Sequence, residues 1–295
     1  MNGYNNKYSC ADFTFPLLPH SKVLQLIKLL DIDAVDLGIF EGRSHYYPSQ
    51  IAKDPVGEGR RLANELGIVG LKASDVFLQT GANPAIAPTN SPDENIRKSN
   101  RDLFLKILDF VSVLGCHHIT GLPGVIHVGE SFENDWKRAC EENHWRVETA
   151  KAENIVYSIE PHLGSILTDS DTTLQFINDC PGISLTLDYG HFIYQGQTNE
   201  SVHPLIKHAS HFHARGGAKG KLQTAVTENE IDFETIISQF MEIGYSGYTC
   251  LEYVHIDWEG CNRSDNISET IRLHELLKQL GQPPESIGIG FYPIE

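Results

Sequence analysis

The feature that most constrains the fold is an alternation repeated along nearly the whole chain. Short runs of β-branched and aromatic residues end in polar residues, and an amphipathic segment follows each of them. This alternation is typical of βα units whose strands form a parallel sheet. The runs predict eight strands, at 8–15, 34–40, 69–78, 117–121, 154–161, 183–188, 208–214 and 247–254.

The segments between these runs predict about eight helices. An apolar stripe that starts at Val23 follows the i, i+3, i+4, i+7 spacing of a helix with one buried face. A capping-box pattern at 91–94, with proline at the first helical position, predicts the start of a long helix over about 92–114. The later helices are predicted at 131–152, 169–179, 199–208, 230–243 and 266–280.

Eight βα units in 295 residues indicate a closed (β/α)8 barrel, the TIM-barrel fold. The alternative, an open doubly wound sheet, would carry a glycine-rich phosphate turn after its first strand. Here the first strand leads into Pro16-Leu17-Leu18-Pro19 instead. No linker or break in composition divides the chain, so we expect residues 1–295 to form one TIM-barrel domain, with 281–295 as a C-terminal extension.

The charge and hydropathy of the chain limit its partners. The chain has 23 Lys and Arg against 39 Asp and Glu, a formal charge of −16, and an acidic surface repels nucleic-acid phosphates. No run approaches the ~18 apolar residues of a membrane span, and the polar residues 1–7 show no signal peptide. We expect a cytoplasmic protein without nucleic-acid or membrane partners. The Pro- and Gly-rich tail is expected on the surface, where it could form a contact in a homo-oligomer.

Polar residues stand where the strands of the second half end. The active sites of this fold lie at the C-terminal ends of the strands. The fifth to eighth strands bring Glu160, Asp188, His213 and Glu252 to that end, at intervals of about one βα unit. The sequence therefore predicts that these four side chains meet at one rim of the barrel.

Three carboxylates and one imidazole at a barrel mouth predict a divalent metal ion. Like charges that lie close together oppose burial and raise each other's pKa, and a bound cation removes that cost. Three oxygen ligands and one nitrogen ligand suit Mn²⁺, Mg²⁺ or Co²⁺, while Zn²⁺ and iron stay open. We expect one ion per chain and take Mn²⁺ as the first choice.

The sequence resembles the xylose isomerase-like TIM-barrel superfamily, the sugar phosphate isomerase/epimerase group. The resemblance is strongest over about 154–256 and rests on four motifs: Ile159-Glu160-Pro161, Leu187-Asp188-Tyr189-Gly190-His191, His211-Phe212-His213 and Leu251-Glu252. In ketose 3-epimerases and inosose dehydratases of this group, a Glu, an Asp, a His and a Glu hold the metal. The resemblance implies that Glu160, Asp188, His213 and Glu252 are the ligands and that His191 contacts substrate oxygens.

Two positions depart from the best-known ketose 3-epimerases. Those enzymes have a second glutamate where this chain has Ile166, and an arginine where it has Lys219. Both departures argue against a free ketohexose as the substrate. The endonuclease IV branch of the fold is disfavoured, because its Asp-x-His after the seventh strand is absent and the charge of −16 opposes DNA.

The resemblance implies a divalent-metal-dependent isomerase or epimerase of a keto-sugar or sugar derivative. Glu160 and Glu252 would act as acid and base on the carbon next to a carbonyl that the metal polarises. The same residues suit elimination, so a metal-dependent lyase or dehydratase is the alternative. A non-catalytic sugar-binding relative is the alternative from another class.

Further residues are expected to contact the sugar. Five are predicted to bind it: His191, His162, Arg215, Lys219 and Trp258. The two basic residues lie in a Gly-rich stretch that could act as a mobile cationic loop, and the tryptophan could stack on a sugar ring. His45, after the second strand, and Gln79, after the third, are expected on the opposite wall of the site, while His211 is expected to be structural.

Overall fold

Eight parallel strands close into a barrel in chain order, which confirms the predicted (β/α)8 fold. The computed structural model describes residues 7–282, so the expectations for the first six residues and for most of the C-terminal extension lie outside the described part. All eight predicted strands are present: β1 (Lys7–Ala11), β2 (Ala34–Phe40), β3 (Lys72–Gln79), β4 (His118–Gly121), β5 (Val156–Ile159), β6 (Ser184–Asp188), β7 (Ala209–Ala214) and β8 (Tyr248–Leu251).

Helices cover the outside of the barrel. The α-helices between residues 7 and 282 are α1 (His20–Leu29), α2 (Pro48–Ile51), α3 (Pro55–Val69), α4 (Glu94–Leu114), α5 (Phe132–Ala152), α6 (Ser170–Asp179), α7 (Tyr189–Tyr194), α8 (Asn199–Val202), α9 (Phe233–Ile243) and α10 (Asn266–Leu280). The helix predicted at 199–208 is α8 followed by a 3-10 helix at His203–His208. None of the described helices is long and apolar enough to cross a membrane.

Helix α4 begins two residues later than predicted. The side chain of Asp93 accepts a hydrogen bond from the backbone N–H of Asn95 at 2.8 Å, so Asp93 is the N-cap. The hydroxyl of Ser91 instead accepts a bond from the backbone N–H of Asp93 at 3.3 Å. Serine and aspartate cap helices equally well, which is why the pattern at 91–94 did not distinguish them.

The helices pack on the barrel through apolar faces. Helix α9 buries Phe233, Ile236, Ile237 and Phe240, and burying each such side chain stabilises the fold by about 1.5–3 kcal/mol. Strand β2 is buried along its whole length because α-helices cover the outside of the sheet while its other face points into the barrel. The described helices do not cover the C-terminal ends of the strands, and the polar side chains described below lie there.

Candidate active site

A cavity of about 490 Å³ opens at the C-terminal ends of the strands. Acidic, imidazole and guanidinium side chains form its floor, and aromatic side chains form much of its wall. The lining residues include Glu160, His162, His191, Arg215, Glu252, Phe13, Phe40, Phe77 and Trp258. The structure therefore brings two of the four predicted ligands and four of the five predicted sugar contacts into one cavity.

Two carboxyl groups that line the cavity, those of Glu160 and Glu252, meet the buried imidazole of His213. The Nδ1 atom of His213 lies 2.8 Å from Oε1 of Glu160 and 3.4 Å from Oε2 of Glu252. All three residues are buried, with exposed fractions of 1%, 1% and 4% for Glu160, His213 and Glu252. They come from β5, β7 and β8, so closure of the barrel is what assembles them.

Asp188 is held by Arg215. Its Oδ2 lies 2.6 Å from Nη2 of the guanidinium, and its Oδ1 accepts a bond from the backbone N–H of Gly190 at 2.7 Å. The guanidinium also lies 3.7 Å from Oε2 of Glu252. Arg215 is 3% exposed, so the expectation that it lies in a mobile cationic loop is wrong: it is a fixed internal cation.

His191 faces the same carboxylates. Its Nδ1 accepts a bond from the backbone N–H of Leu163 at 3.2 Å, which leaves the ring hydrogen on Nε2. That Nε2 lies 3.4 Å from Oδ2 of Asp188 and 3.2 Å from Nη2 of Arg215. This position is compatible with the expected contact between His191 and a substrate, and also with a role of His191 in orienting Asp188.

His162 and Trp258 form one side of the cavity. Their rings stack with a centroid distance of 5.2 Å and an interplanar angle of 10°, and His162 also packs on His191 at 4.3 Å. Burial lowers the pKa of both histidines, most strongly that of His191. Both imidazoles are therefore neutral at pH 7 and can accept or donate hydrogen bonds.

Two residues expected at the site lie elsewhere. Lys219 is exposed and does not line the cavity, because a tight turn, with Ala218 bonded to Lys221, carries it to the surface. His45 is also absent from the cavity wall, since its Nε2 bonds the backbone oxygen of Leu18 at 2.9 Å. Gln79, at the end of β3, does line the cavity, as expected.

The pKa values of the two glutamates are pushed in opposite directions. Burial raises the pKa of Glu252 to about 8, against the opposing charges of His213 and Arg215. Burial also acts on Glu160, but the hydrogen bond and charge of His213 outweigh it and hold that pKa below its ordinary value. For His213, burial lowers the pKa, but Glu252, Asp36 and Glu160 together raise it well above its ordinary value. These side chains alone therefore give a carboxylate at Glu160 and a carboxylic acid at Glu252 at pH 7.

Asp36 is a site residue that sequence reasoning missed. Its Oδ2 lies 2.5 Å from Nε2 of His211 and 3.5 Å from Nε2 of His213, while Ser9 and Ser74 donate hydroxyl bonds to its Oδ1. The sequence signal that could have identified Asp36 is its position as the one aspartate in the apolar run of β2, because a buried carboxylate needs polar partners.

The donor set fits a divalent cation. Glu160, His213 and Glu252 offer ligand atoms that lie within 4.8 Å of one another. The Oε2 atom of Glu252 is buried without a hydrogen-bond partner, as expected for an atom that a cation would satisfy. Asp188 is a fourth oxygen donor at the same rim, although it is bound to Arg215. Two or three carboxylates with one imidazole suit a hard or borderline ion.

Fold and rim together define a parallel α/β barrel with an acid–imidazole site at its mouth. A family model described as "Xylose isomerase-like TIM barrel" matches residues 24–279. The chain belongs to this family, as the resemblance of its motifs predicted. No curated protein matches the chain in sequence.

Several solved structures share the fold at low identity. An L-ribulose 3-epimerase is 16% identical, with a TM-score of 0.74, over 98% of this chain and 100% of that one. A 3-keto-D-glucoside 4-epimerase of E. coli is 14% identical, with a TM-score of 0.69, over 93% and 100%. A probable 3-DHS dehydratase of Bacillus anthracis is 13% identical, with a TM-score of 0.65, over 92% and 98%. At these identities the likeness concerns the barrel alone.

Proposed function

We propose that the protein is a divalent-metal-dependent isomerase or epimerase that moves a proton next to the carbonyl of a keto-sugar or sugar derivative. The observation that carries the proposal is the pair Glu160 and Glu252, which line one cavity and lie on either side of the imidazole of His213. Two carboxyl groups that reach one substrate can serve as the base and the acid of a proton transfer. The epimerases and the dehydratase among the similar structures support this class of reaction.

Glu160, His213 and Glu252, with Asp188 as a fourth donor, would hold the ion. A bound divalent ion of this kind polarises the substrate carbonyl and stabilises the negative charge that develops on its oxygen. The side chains around it supply the proton transfers and the orientation of the sugar.

Two proton transfers complete the reaction. The carboxylate of Glu160 accepts the proton from the carbon next to the carbonyl, and the electron pair of the broken C–H bond becomes the C=C bond of an enediolate. Glu252 passes a proton from water to the opposite face of that carbon, which gives the epimer, or to the neighbouring carbon, which gives the isomer. Exchange of both carboxyl groups with water restores the starting protonation states.

The cavity wall suits a single sugar unit. Its volume of about 490 Å³ lies in the ordinary range of about 300–1,000 Å³ for small-molecule sites. Trp258 is 36% exposed and offers a ring face to a sugar, while the Nε2–H of His191 and the guanidinium of Arg215 offer donors to hydroxyl and carbonyl oxygens. A cation and two neutral imidazoles also suit a substrate that carries a carboxylate.

Elimination is the second candidate, and the position of His162 favours it. His162 is a neutral imidazole in the cavity wall, and Ile166 is fully buried where the ketose 3-epimerases carry a glutamate. His162 could take the proton from the carbon next to the carbonyl, and Glu252 could then pass a proton from water to the β-substituent as it leaves. The product would then be an unsaturated sugar and a released water or alcohol.

The test is solvent deuterium uptake into a panel of keto-sugars and keto-glycosides by protein loaded with Mn²⁺. An epimerase or isomerase gives products that keep the substrate skeleton and carry solvent deuterium, while a lyase gives an unsaturated product and a freed group. The Glu252→Gln variant serves as the matched control. No uptake with Mn²⁺, Mg²⁺, Co²⁺ or Zn²⁺ on any compound would reject catalysis in favour of a sugar-binding protein.

A further inference from the structure

A second group of metal-type ligands lies outside the cavity wall, where β1, α1 and the loop after β2 meet. Asp12 directly follows β1, His20 begins α1, and His45 lies in the loop. The Oδ2 atom of Asp12 lies 3.2 Å from Nε2 of His20 and 3.9 Å from Nδ1 of His45. These three atoms lie within 4.8 Å of one another, and none of the three residues lines the cavity.

The three facing atoms are buried, and none has a hydrogen-bond partner. Asp12 is 0% exposed, and the side chains of His20 and His45 are 9% and 12% exposed. A buried polar atom left unpaired costs about 1–3 kcal/mol. Three unpaired, buried polar atoms that face one another indicate a site that binds an ion.

The second polar atom of each of these three side chains has a hydrogen-bond partner. The Nε2 of His45 donates to the backbone oxygen of Leu18 at 2.9 Å, so its Nδ1 presents a lone pair to Asp12. The Nδ1 of His20 lies 3.0 Å from the hydroxyl of Tyr46.

That hydroxyl donates to Oε2 of Glu65 at 3.2 Å, so it accepts from Nδ1–H of His20, and the lone pair of His20 lies on Nε2. The other oxygen of Asp12 accepts the backbone N–H of Gly38 at 2.9 Å. Metal-binding histidines and carboxylates are oriented in this way by bonds at their outer atoms.

We propose that Asp12, His20 and His45 form a second divalent-metal site, which binds Zn²⁺. Two imidazoles and one carboxylate are ligands that Zn²⁺ prefers, and they contrast with the mostly oxygen ligands at the cavity. Ligand atoms about 2.0–2.1 Å from a tetrahedral ion lie roughly 3–3.5 Å from one another, close to the separation of Asp12 and His20. The fourth position is left for water.

The ion would tie three segments together at the barrel rim. The loop after β2 also carries Arg43, whose Nη2 donates to Oε1 of Gln79 at 2.5 Å in the cavity wall. Fixing His45 therefore fixes the loop that forms this side of the cavity. The Zn²⁺ site stands whether or not the proposed reaction is correct.

The experiment counts Zn²⁺ in a background that lacks the cavity carboxylates. The full chain with Glu160→Gln and Glu252→Gln is stripped with a chelator, equilibrated with Zn²⁺ alone, and examined by elemental analysis and zinc X-ray absorption. We expect one ion per chain with scattering from two imidazole rings. Because His162, His191, His211 and His213 could also supply imidazoles, the bound ion must be lost in the variants of Asp12 and His45 described next, which leave those four rings in place. An ion with one imidazole, or none bound, would overturn the proposal and leave Asp12 and His20 as an ordinary ion pair.

Ligand variants in the same background test the assignment. Asp12→Asn keeps the oxygen that accepts from Gly38, and His45→Gln keeps a polar side chain, so both are chosen to preserve the fold. Each should weaken Zn²⁺ binding by at least about tenfold. The matched control is His127→Gln, which breaks a histidine–aspartate pair of 2.7 Å with Asp135 that has no second histidine, and it should leave binding unchanged. Unchanged binding in folded Asp12→Asn and His45→Gln variants would also refute the site, whereas failed deuterium uptake would affect only the proposed reaction.

Discussion

The Nε2 atom of His213 lies 3.5 Å from the Oδ2 atom of Asp36, on the side of the imidazole ring that faces away from the cavity. Asp36 is itself fixed by two serine hydroxyls and by His211. No hydrogen bond joins Nε2 of His213 to Oδ2 of Asp36, but the negative charge of Asp36 favours a proton on Nε2 of His213 and so leaves the lone pair on the nitrogen that faces Glu160. Asp36 is a positioning residue for the candidate metal ligand.

Asp36→Asn should weaken Mn²⁺ binding and deuterium uptake by about 10–100-fold, because the amide holds the imidazole less firmly and removes the charge. The measurements are Mn²⁺ affinity and the split between kcat and KM, with kcat expected to fall more. The matched control is Asp75→Asn, whose carboxylate pairs with His118 at 2.6 Å inside the same barrel. Equal losses in the two variants would mean that Asp36 acts only on stability.

Glu160→Gln and Glu252→Gln should each reduce deuterium uptake by about 10²–10⁴-fold, because glutamine has the same shape but cannot transfer the proton. Uptake into the active keto-sugar, measured by NMR at equal Mn²⁺ occupancy, checks this. Glu41→Gln, which alters a glutamate bonded to Ser49 in the loop after β2, should behave as wild type. Uptake near the wild-type rate in either cavity variant would exclude the two-carboxylate mechanism.

Arg215→Met should destabilise the metal-free protein by about 3–5 kcal/mol, because it leaves buried carboxylates without their cation. A divalent ion restores positive charge at the same place, so Mn²⁺ should raise the Tm of this variant more than that of wild type. Thermal unfolding with Mn²⁺ and with chelator tests both statements. Arg61→Met, which removes an exposed pair with Glu65 of 2.6 Å, should cost at most about 1 kcal/mol and show no such Mn²⁺ dependence. A Tm gain no larger than that of wild type would show that no ion binds near Arg215.

Trp258→Ala should raise KM by about 3- to 10-fold with little change in kcat, which corresponds to the ~0.5–1.5 kcal/mol of an aromatic contact. Steady-state kinetics on the active substrate separates the two constants. Trp258→Phe keeps a ring face and should recover most of the affinity. If phenylalanine were no better than alanine, the stacking role would be wrong.

Asp232→Ala should cost about 1 kcal/mol at pH 7, because Asp232 caps α9 by accepting the backbone N–H of Thr235 at 3.0 Å. Burial raises the pKa of Asp232, but the bonds from Thr235 outweigh it and the pKa is lowered. A lowered carboxyl pKa gives stability that is present above the ordinary value of about 3.9 and is lost as the pH falls through the lowered value.

Urea unfolding at pH 7 and in acid checks this, with the difference between Asp232→Ala and wild type shrinking towards zero in acid. Ser238→Ala, at an exposed position of the same helix, should stay within about 0.5 kcal/mol of wild type. A cost that persists in acid would show that the capping charge is not its source.

The barrel could be predicted because apolar runs and amphipathic segments alternate along the sequence. Each strand is a short apolar run with a polar end, and eight repeats admit few other folds. The precise start of α4 could not be predicted, since Ser91 and Asp93 both cap well and only the path of the backbone decides between them. Helices α2 and α3, between β2 and β3, had no separate prediction, because glycines and charged residues weaken the apolar stripe there.

The sequence predicted which side chains lie at the C-terminal rim better than it predicted their surroundings. Position after a strand gave Glu160, Asp188, His213 and Glu252 because the fold aligns all strand ends. The direction of a loop side chain depends on contacts distant in sequence, and so Lys219 and His45 were misplaced. The glycine-rich neighbours of Arg215 are typical of a mobile loop, whereas its guanidinium is buried and bonded to Asp188.

The barrel can close only after its last strand has been synthesised. Strand β1 pairs with β8, from Lys7 with Tyr248 to Cys10 with Leu251, and Glu252 follows that last strand directly. At about 5–20 residues per second, the ribosome delivers β8 seconds after β7, and until then β1 and β7 are open sheet edges. The side chains of Glu160, His213 and Glu252 therefore come together only when the last strand pairs with both β1 and β7 and so removes the two open edges.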